Sequence, residues 1–230
     1  MPDLDNNNTD IVQLGRVRVP VLPSLLSPLI INGIRKGWYE RDERSAIEAA
    51  VGTGDRVLEL GGGLGVCSAT AALGAKLSSL TIVEANPQLL DAIRLTMALN
   101  DIEEFDLVWG AVSASTAATT RLHVGEHYWA AKETASQAGD VVEVPTISAK
   151  AIIERIKPNV LICDIEGNEQ NLIEEADLSG LRSLIVEFHP NAYGTAVMKL
   201  LDAKICATGF ARATEWSTSE RPQVHYYTAN

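Results

Sequence analysis

A chain of 230 residues suffices for one sheet-centred domain, and 46% apolar beside 21% charged residues excludes wholesale disorder and a fibrous repeat. No apolar run approaches the ~20 residues of a spanning helix, and Met1–Asp5 lacks a basic start, so a cytoplasmic protein without membrane insertion is expected. The net charge of −11 speaks against nucleic acid as a partner, since phosphate backbones are bound by clustered Lys and Arg, whereas Glu40, Asp42 and Glu43 interrupt the stretch from Arg35 to Arg44. Cys67, Cys163 and Cys206 are isolated and odd in number, which fits small core residues in a reducing compartment and excludes a cysteine metal cluster.

Residues 1–12 are polar, as a loose terminus would be. Val17 to Pro20 alternate like a short edge strand, and Pro23 and Pro28 are expected to keep the chain irregular as far as Leu29. Residues 1–36 are therefore read as an N-terminal segment and 37–230 as the main domain. Residues 41–51 form a helix with Ala46, Ile47, Ala50 and Val51 on one face. Strands are then expected at 56–60, 80–83, 105–109, 160–163 and 184–188, and helices at 66–73, from Asn86-Pro87 to about 99, at 149–156, 169–176 and 196–206. Residues 211–216 and 224–228 read as a closing antiparallel hairpin. Runs such as Val160-Leu161-Ile162 and Leu184-Ile185-Val186 are apolar on both faces, as central parallel strands covered by helices must be. The fold class is α/β, a doubly wound, mostly parallel seven-stranded sheet ending in that hairpin. Ligands gather at the carboxyl ends of such strands, where Glu59, Glu84, Asp164 and His189 fall.

The stretch Val57-Leu58-Glu59-Leu60-Gly61-Gly62-Gly63-Leu64-Gly65-Val66 organises the chain: a buried strand breaks into a turn whose bare backbone can approach a ligand, and a helix follows. A dinucleotide turn is written G-x-G-x-x-G, whereas here Gly61, Gly63 and Gly65 are followed by Val66. Glu59, two residues before the turn, would repel a pyrophosphate but suits an ammonium group and a sulfonium, which favours S-adenosylmethionine over a nicotinamide cofactor. Glu84, at the end of the next strand, can accept both ribose hydroxyls of either cofactor, or it serves the dipole of the following helix.

These residues, together with Gly37-Trp38-Tyr39-Glu40 and Glu43, Val83-Glu84-Ala85-Asn86-Pro87, Gly110-Ala111-Val112-Ser113, Asp164-Ile165-Glu166-Gly167-Asn168-Glu169 and Val186-Glu187-Phe188-His189-Pro190, resemble the FkbM-type family of class I S-adenosylmethionine-dependent methyltransferases. That family commonly carries Asp where Glu59 stands, and Gly-Ala-Asn where this chain has Gly61-Gly62-Gly63. The resemblance implies that Glu59, Gly61, Gly63 and Gly65 contact the methionine part and ribose, that Glu84 with Ala85 and Asn86 holds the ribose, that Gly110 and Ala111 line the adenine, and that Asp164 lies beside the methionine ammonium or the transferring methyl. It also implies methylation of hydroxyls on sugars, polyketides and related small metabolites, so a hydroxylated small-molecule acceptor is the expected partner; the alternatives are a nicotinamide-dependent oxidoreductase and a non-catalytic S-adenosylmethionine-binding module.

Methyl transfer to a hydroxyl leaves one proton to remove, and Asp164, Glu166, Glu187 and His189 are the candidate bases, with Asp164, Glu166 and His189 carried forward. His189 could equally be a satisfied loop residue, and Glu166 could serve to hold Gly167 and the next helix start. Asp164, Glu166 and His189 also form a set that could bind a divalent metal, but nothing in their spacing demands one and no metal is assigned. Tyr39 and Glu40 are expected to close the cofactor pocket from the other side. Gly125-Glu126-His127-Tyr128-Trp129, inside a 114–145 insertion, is either a lid over the acceptor or a surface hairpin.

Overall fold

The computed structural model describes residues 10–124, 140–218 and 223–230. The chain begins with a two-stranded antiparallel ribbon, β1 (Ile11–Leu14) and β2 (Val17–Pro20), which buries Leu14, Val17 and Val19. Helix α1 (Pro28–Arg35) follows, and α2 (Arg41–Ala50) leads into the sheet. Pro28 does not prolong an irregular stretch, as the sequence suggested. It occupies the first helical turn, where its missing N–H costs nothing, while Ser27 caps the end by accepting from Ile30 N at 3.4 Å.

The core alternation then runs β3 (Arg56–Leu60), α3 (Val66–Gly74), β4 (Ser79–Glu84), α4 (Leu90–Leu99) and β5 (Asp106–Trp109). An excursion through β6 (Ala111–Val112), β7 (Thr119–Val124) and β8 (Asp140–Ile147) precedes α5 (Ala149–Ile156), β9 (Val160–Cys163), α6 (Glu169–Glu175) and β10 (Ser183–Phe188). The one-turn helix α7 (Pro190–Tyr193), α8 (Thr195–Ala207), β11 (Phe210–Arg212) and β12 (Gln223–Ala229) complete it. The main sheet has the order β11-β12-β10-β9-β3-β4-β5, with β12 antiparallel to both neighbours and the remaining pairs parallel. Strand order reverses between β3 and β9, so the chain leaves two adjacent carboxyl ends in opposite directions and opens a crevice there.

Strand period divides the core. Val57, Ile82, Val160, Ile162 and Ile185 pack against α2, α3, α4 and the N-terminal ribbon, whereas Leu58, Leu60, Val83, Leu161, Leu184 and Val186 pack against α5, α6 and α8. Buried Asp55 ties the base together, accepting from Gly52 N (2.6 Å), Asn159 Nδ2 (3.0 Å) and Arg182 Nη2 (2.5 Å).

Other sequence expectations shift. Asn86 does not cap α4; its Oδ1 accepts from Gln88 N at 3.0 Å in a local turn, and the helix starts at Leu90. The stretch 211–216 divides into β11 and a turn of 3-10 helix at Thr214–Trp216. Cys67 and Cys163 are buried, but Cys206 is exposed, because it falls on the outer face of α8. The proposed lid segment Gly125–Trp129 lies outside the described residues.

Candidate active site

The glycine turn at the end of β3 is built by close approach. Gly61 N and Gly62 N both donate to Val83 O, at 2.9 and 3.1 Å, and Gly65 N donates to Gly62 O at 2.7 Å. Gly61 has φ +90°, and a β-carbon on it would fall 1.7 Å from the carbonyl oxygen of Asp164. The turn thus lies directly on the chain leaving β9.

Three carboxyls, of Glu59, Glu84 and Glu40, surround this turn. Glu59 shares the face of Val57 by strand period, is 2% exposed and accepts from Ser68 Oγ on α3. Burial pushes its carboxyl well above the usual range, and the charges of Glu40, Glu84 and Asp164 push the same way. Glu84 clamps the turn, accepting from Gly63 N at 2.9 Å and from Asn86 N at 2.6 Å. Burial raises its pKa and these backbone donors oppose the rise. Its work in fixing the turn is a role that the sequence did not reveal, because Gly63 lies 21 positions away. Glu40 stands across the turn with Tyr39: a β-carbon on Gly63 would meet Glu40 Oε1 at 3.3 Å and the Tyr39 hydroxyl at 3.4 Å. It has a left-handed backbone, φ 47°, accepts from Cys67 Sγ at 3.3 Å, and is raised to about 7 by burial and then by the charge of Glu43. Beyond Glu84, Trp109 Nε1 donates to Ala85 O at 3.1 Å, Gly110 N donates to Glu84 O at 2.9 Å, and Ala111 is 6% exposed against β8.

The ends of β9 and β10 bring a second group together. His189 Nε2 lies 3.5 Å from Asp164 Oδ1, 3.4 Å from Glu166 Oε2 and 3.7 Å from Glu187 Oε1. Its Nδ1 meets Glu169 Oε1 at 2.8 Å, and its backbone N donates to the Tyr193 hydroxyl at 2.9 Å. His189 is thus the N-cap residue of α7, with its ring and backbone N both partnered. Burial alone would lower its pKa, but the Glu169 hydrogen bond and the charges of Asp164 and Glu166 win and raise it to about 9. Behind it, Glu187 is pushed up to about 12 by burial and by Asp164 and Glu43, and buried Glu43 is raised as well. Glu169 and Ser68 are site residues that sequence reasoning missed. The run from Asp164 to Glu169 drew attention to the first, while nothing local marked the second.

Asp164, Glu166 and His189 therefore come together, and Asp164 joins them to the glycine turn. The sequence matches the methyltransferase FkbM domain over residues 48–212. The chain belongs to this family. The cofactor of this FkbM-domain protein is S-adenosylmethionine, and its fold is the α/β, Rossmann-like methyltransferase fold. No curated protein matches it significantly. Among solved structures it is similar to the tRNA m1G37 methyltransferase of M. jannaschii, with 12% identity and a TM-score of 0.50 over 98% of this chain and 56% of that one. It also aligns with the ribosomal protein L11 methylase of Lactobacillus delbrueckii subsp. bulgaricus (13% identity, TM-score 0.49, 84% and 80% covered). A third match is the precorrin-6y C5,15-methyltransferase of Geobacter metallireducens (12% identity, TM-score 0.49, 83% and 87% covered). At such identities the likeness concerns the fold. It nevertheless corrects one expectation: with the M. jannaschii tRNA methyltransferase sharing this fold, the acidic net charge does not rule out a nucleic-acid partner. Among the described residues no helix is long and apolar enough to cross a membrane.

Proposed function

We propose that this FkbM-domain protein transfers the methyl group of S-adenosylmethionine to a hydroxyl oxygen of a small metabolite, sugar or glycan intermediate. The observation that carries the reading is the double engagement of Asp164: its carbonyl packs on Gly61 of the glycine turn, while its carboxylate faces His189. One residue thus borders both the donor side and the side where an acceptor hydroxyl would lose its proton.

Bound S-adenosylmethionine supplies a carbon already activated by its sulfonium, so the protein has to align two molecules and accept one proton. Glu40, Glu59 and Glu84 border the turn with carboxyls whose ionised forms the cofactor's cationic groups would favour, and the bare backbone of Gly61, Gly63 and Gly65 allows close approach. Tyr39 and Glu40 close this side, and Ala85, Asn86, Gly110 and Ala111 line the next. On the acceptor side Asp164 takes the hydroxyl proton, Glu166 helps to orient the acceptor, and His189, held by Glu169, balances the charge of the carboxylates around it.

The test is transfer from labelled S-adenosylmethionine to a panel of hydroxylated metabolites and glycans, with tRNA and a small protein in the same panel. The reading expects methylation at oxygen, and a loss of at least ~100-fold in kcat for Asp164→Asn with S-adenosylhomocysteine affinity retained. Transfer only to RNA, only to nitrogen, or to nothing while the homocysteine ligand binds would overturn it.

A further inference from the structure

We infer that Asp164, Glu166 and His189 form a divalent-cation site of the mixed imidazole–carboxylate kind, suited to Mn2+. Each offers one ligand atom, and these atoms lie within 4.8 Å of one another. The distances from His189 Nε2, 3.5 Å to Asp164 Oδ1 and 3.4 Å to Glu166 Oε2, are longer than an N–H···O hydrogen bond, which runs to about 3.2 Å. They fit two ligands on one ion: with metal–ligand bonds of roughly 2.0–2.2 Å, neighbouring ligand atoms stand ~3 to 3.6 Å apart.

Orphaned oxygens point the same way. Asp164 Oδ1 is shielded from solvent and receives no hydrogen bond. Glu43, 5% exposed, has an Oε2 without a donor, shares a side-chain hydrogen bond with Glu187, and its charge bears on Asp164. Buried acceptors left in this state are costly, and a cation bound at Asp164 Oδ1 would offset the cost there. Among the described residues no Lys or Arg forms an ion pair with Asp164 or Glu187, so their charge is offset by His189, by protonation or by a bound ion.

The surroundings are those of a supported ligand set. Glu169, fully buried on the first turn of α6, holds His189 Nδ1 at 2.8 Å and accepts from Gly167 N at 2.9 Å, which fixes the ring so that Nε2 faces the two carboxylates. Asp164 and His189 follow directly on β9 and β10, adjacent parallel strands, so their spacing is set by the sheet. Two carboxylates with one imidazole suit Mn2+ better than Ca2+, which takes six to eight oxygen ligands. The consequence for methyl transfer rests on the function proposed above: an ion here would acidify an acceptor hydroxyl as a Lewis acid. Cation binding itself does not depend on that function.

Binding of Mn2+ alone to the full chain, followed by electron paramagnetic resonance of the free ion, tests the site, with S-adenosylhomocysteine titrated calorimetrically into the same samples. One Mn2+ per chain is expected, with at least tenfold weaker binding in Asp164→Asn and in Glu166→Gln, and unchanged binding in Asp91→Asn, which alters a surface acid on α4. Glu166 is partly exposed on a loop, so Glu166→Gln keeps the test decisive if Asp164→Asn fails to fold. No binding of Mn2+, or equal binding in the Glu166 variant, overturns the cation site, and the methyltransferase reading survives if the homocysteine ligand still binds. Mn2+ bound as expected without any homocysteine binding leaves the cation site and removes that reading.

Discussion

The carbonyl oxygen of Asp164 occupies the space that a β-carbon on Gly61 would need, 1.7 Å away. Neither backbone can withdraw, since Gly61 N is held by Val83 O and Asp164 N by Leu60 O, at 2.9 and 2.8 Å. Gly61→Ala is therefore expected to force the turn off the end of β9 and to destabilise the fold by about 3 kcal/mol or more, with S-adenosylhomocysteine affinity lost in whatever remains folded. Urea unfolding and calorimetry on the same preparation check this. Gly74→Ala, where an added β-carbon meets nothing, serves as the mild comparison.

Glu40 predicts a pH dependence. Its pKa is about 7 in the fold against 4.5 for the ordinary carboxyl, so the folded state holds more protons than the unfolded one between those values. Stability from this group is complete below about 4.5 and is lost as pH rises through about 7. The groups facing it are Tyr39 and Cys67 as hydrogen-bond partners, Glu43 as a repelling charge and Arg44 as an attracting one. Glu40→Gln should flatten the loss, gaining about 2 kcal/mol over the parent at pH 8 and almost nothing at pH 5 when no cofactor is bound. Urea melts across that range read the difference. A parallel drop in cofactor affinity is expected, since the carboxylate leaves the surround of the turn.

Arg182 anchors the opposite end of the sheet. Its Nη2 donates both to Ala50 O at 2.9 Å and to buried Asp55 at 2.5 Å. Arg182→Ala should cost about 2–3 kcal/mol, because it leaves the Asp55 charge inside with only neutral donors. Adding Asp55→Asn should recover part of that loss. A double-mutant cycle in urea measures both, and methyl transfer by the folded fraction should be unaffected.

The sequence displayed what local period and turn chemistry can encode. The run Val160–Cys163 is apolar on both faces and becomes the central strand β9, and residues 149–156 form a helix at the expected bounds. The glycine turn and the acids at the strand ends were visible because each follows directly on an apolar run. Pro28 misled because proline both breaks helices and starts them, and only the capping Ser27 tells which. The bond from Ser68 to Glu59, the clamp of Glu84 on Gly63 and the hold of Glu169 on His189 join positions 9, 21 and 20 residues apart. Such pairings depend on which helix face covers which strand, and no local pattern carries them. The acid excess was legible as a number, but its meaning was not: part of it is concentrated around one turn and one imidazole, so it describes a site more than the whole surface.

The N-terminal ribbon carries a consequence for where the folding unit begins. Arg18 N donates to Asn100 Oδ1 at 2.8 Å, and Asn100 Nδ2 returns a bond of 2.8 Å to Arg18 O, so β2 is stitched to the end of α4 as a strand is to its neighbour. Leu14, Val17, Val19 and Ile34 fill the same core that α2, α3 and α4 line. A protein cut at residue 48, where the family match starts, would leave an apolar groove along α3 and α4 and strip Asn100 of two partners. The segment shared with the family is thus shorter than the piece of chain able to stand by itself, and any minimal version of this enzyme has to keep the ribbon.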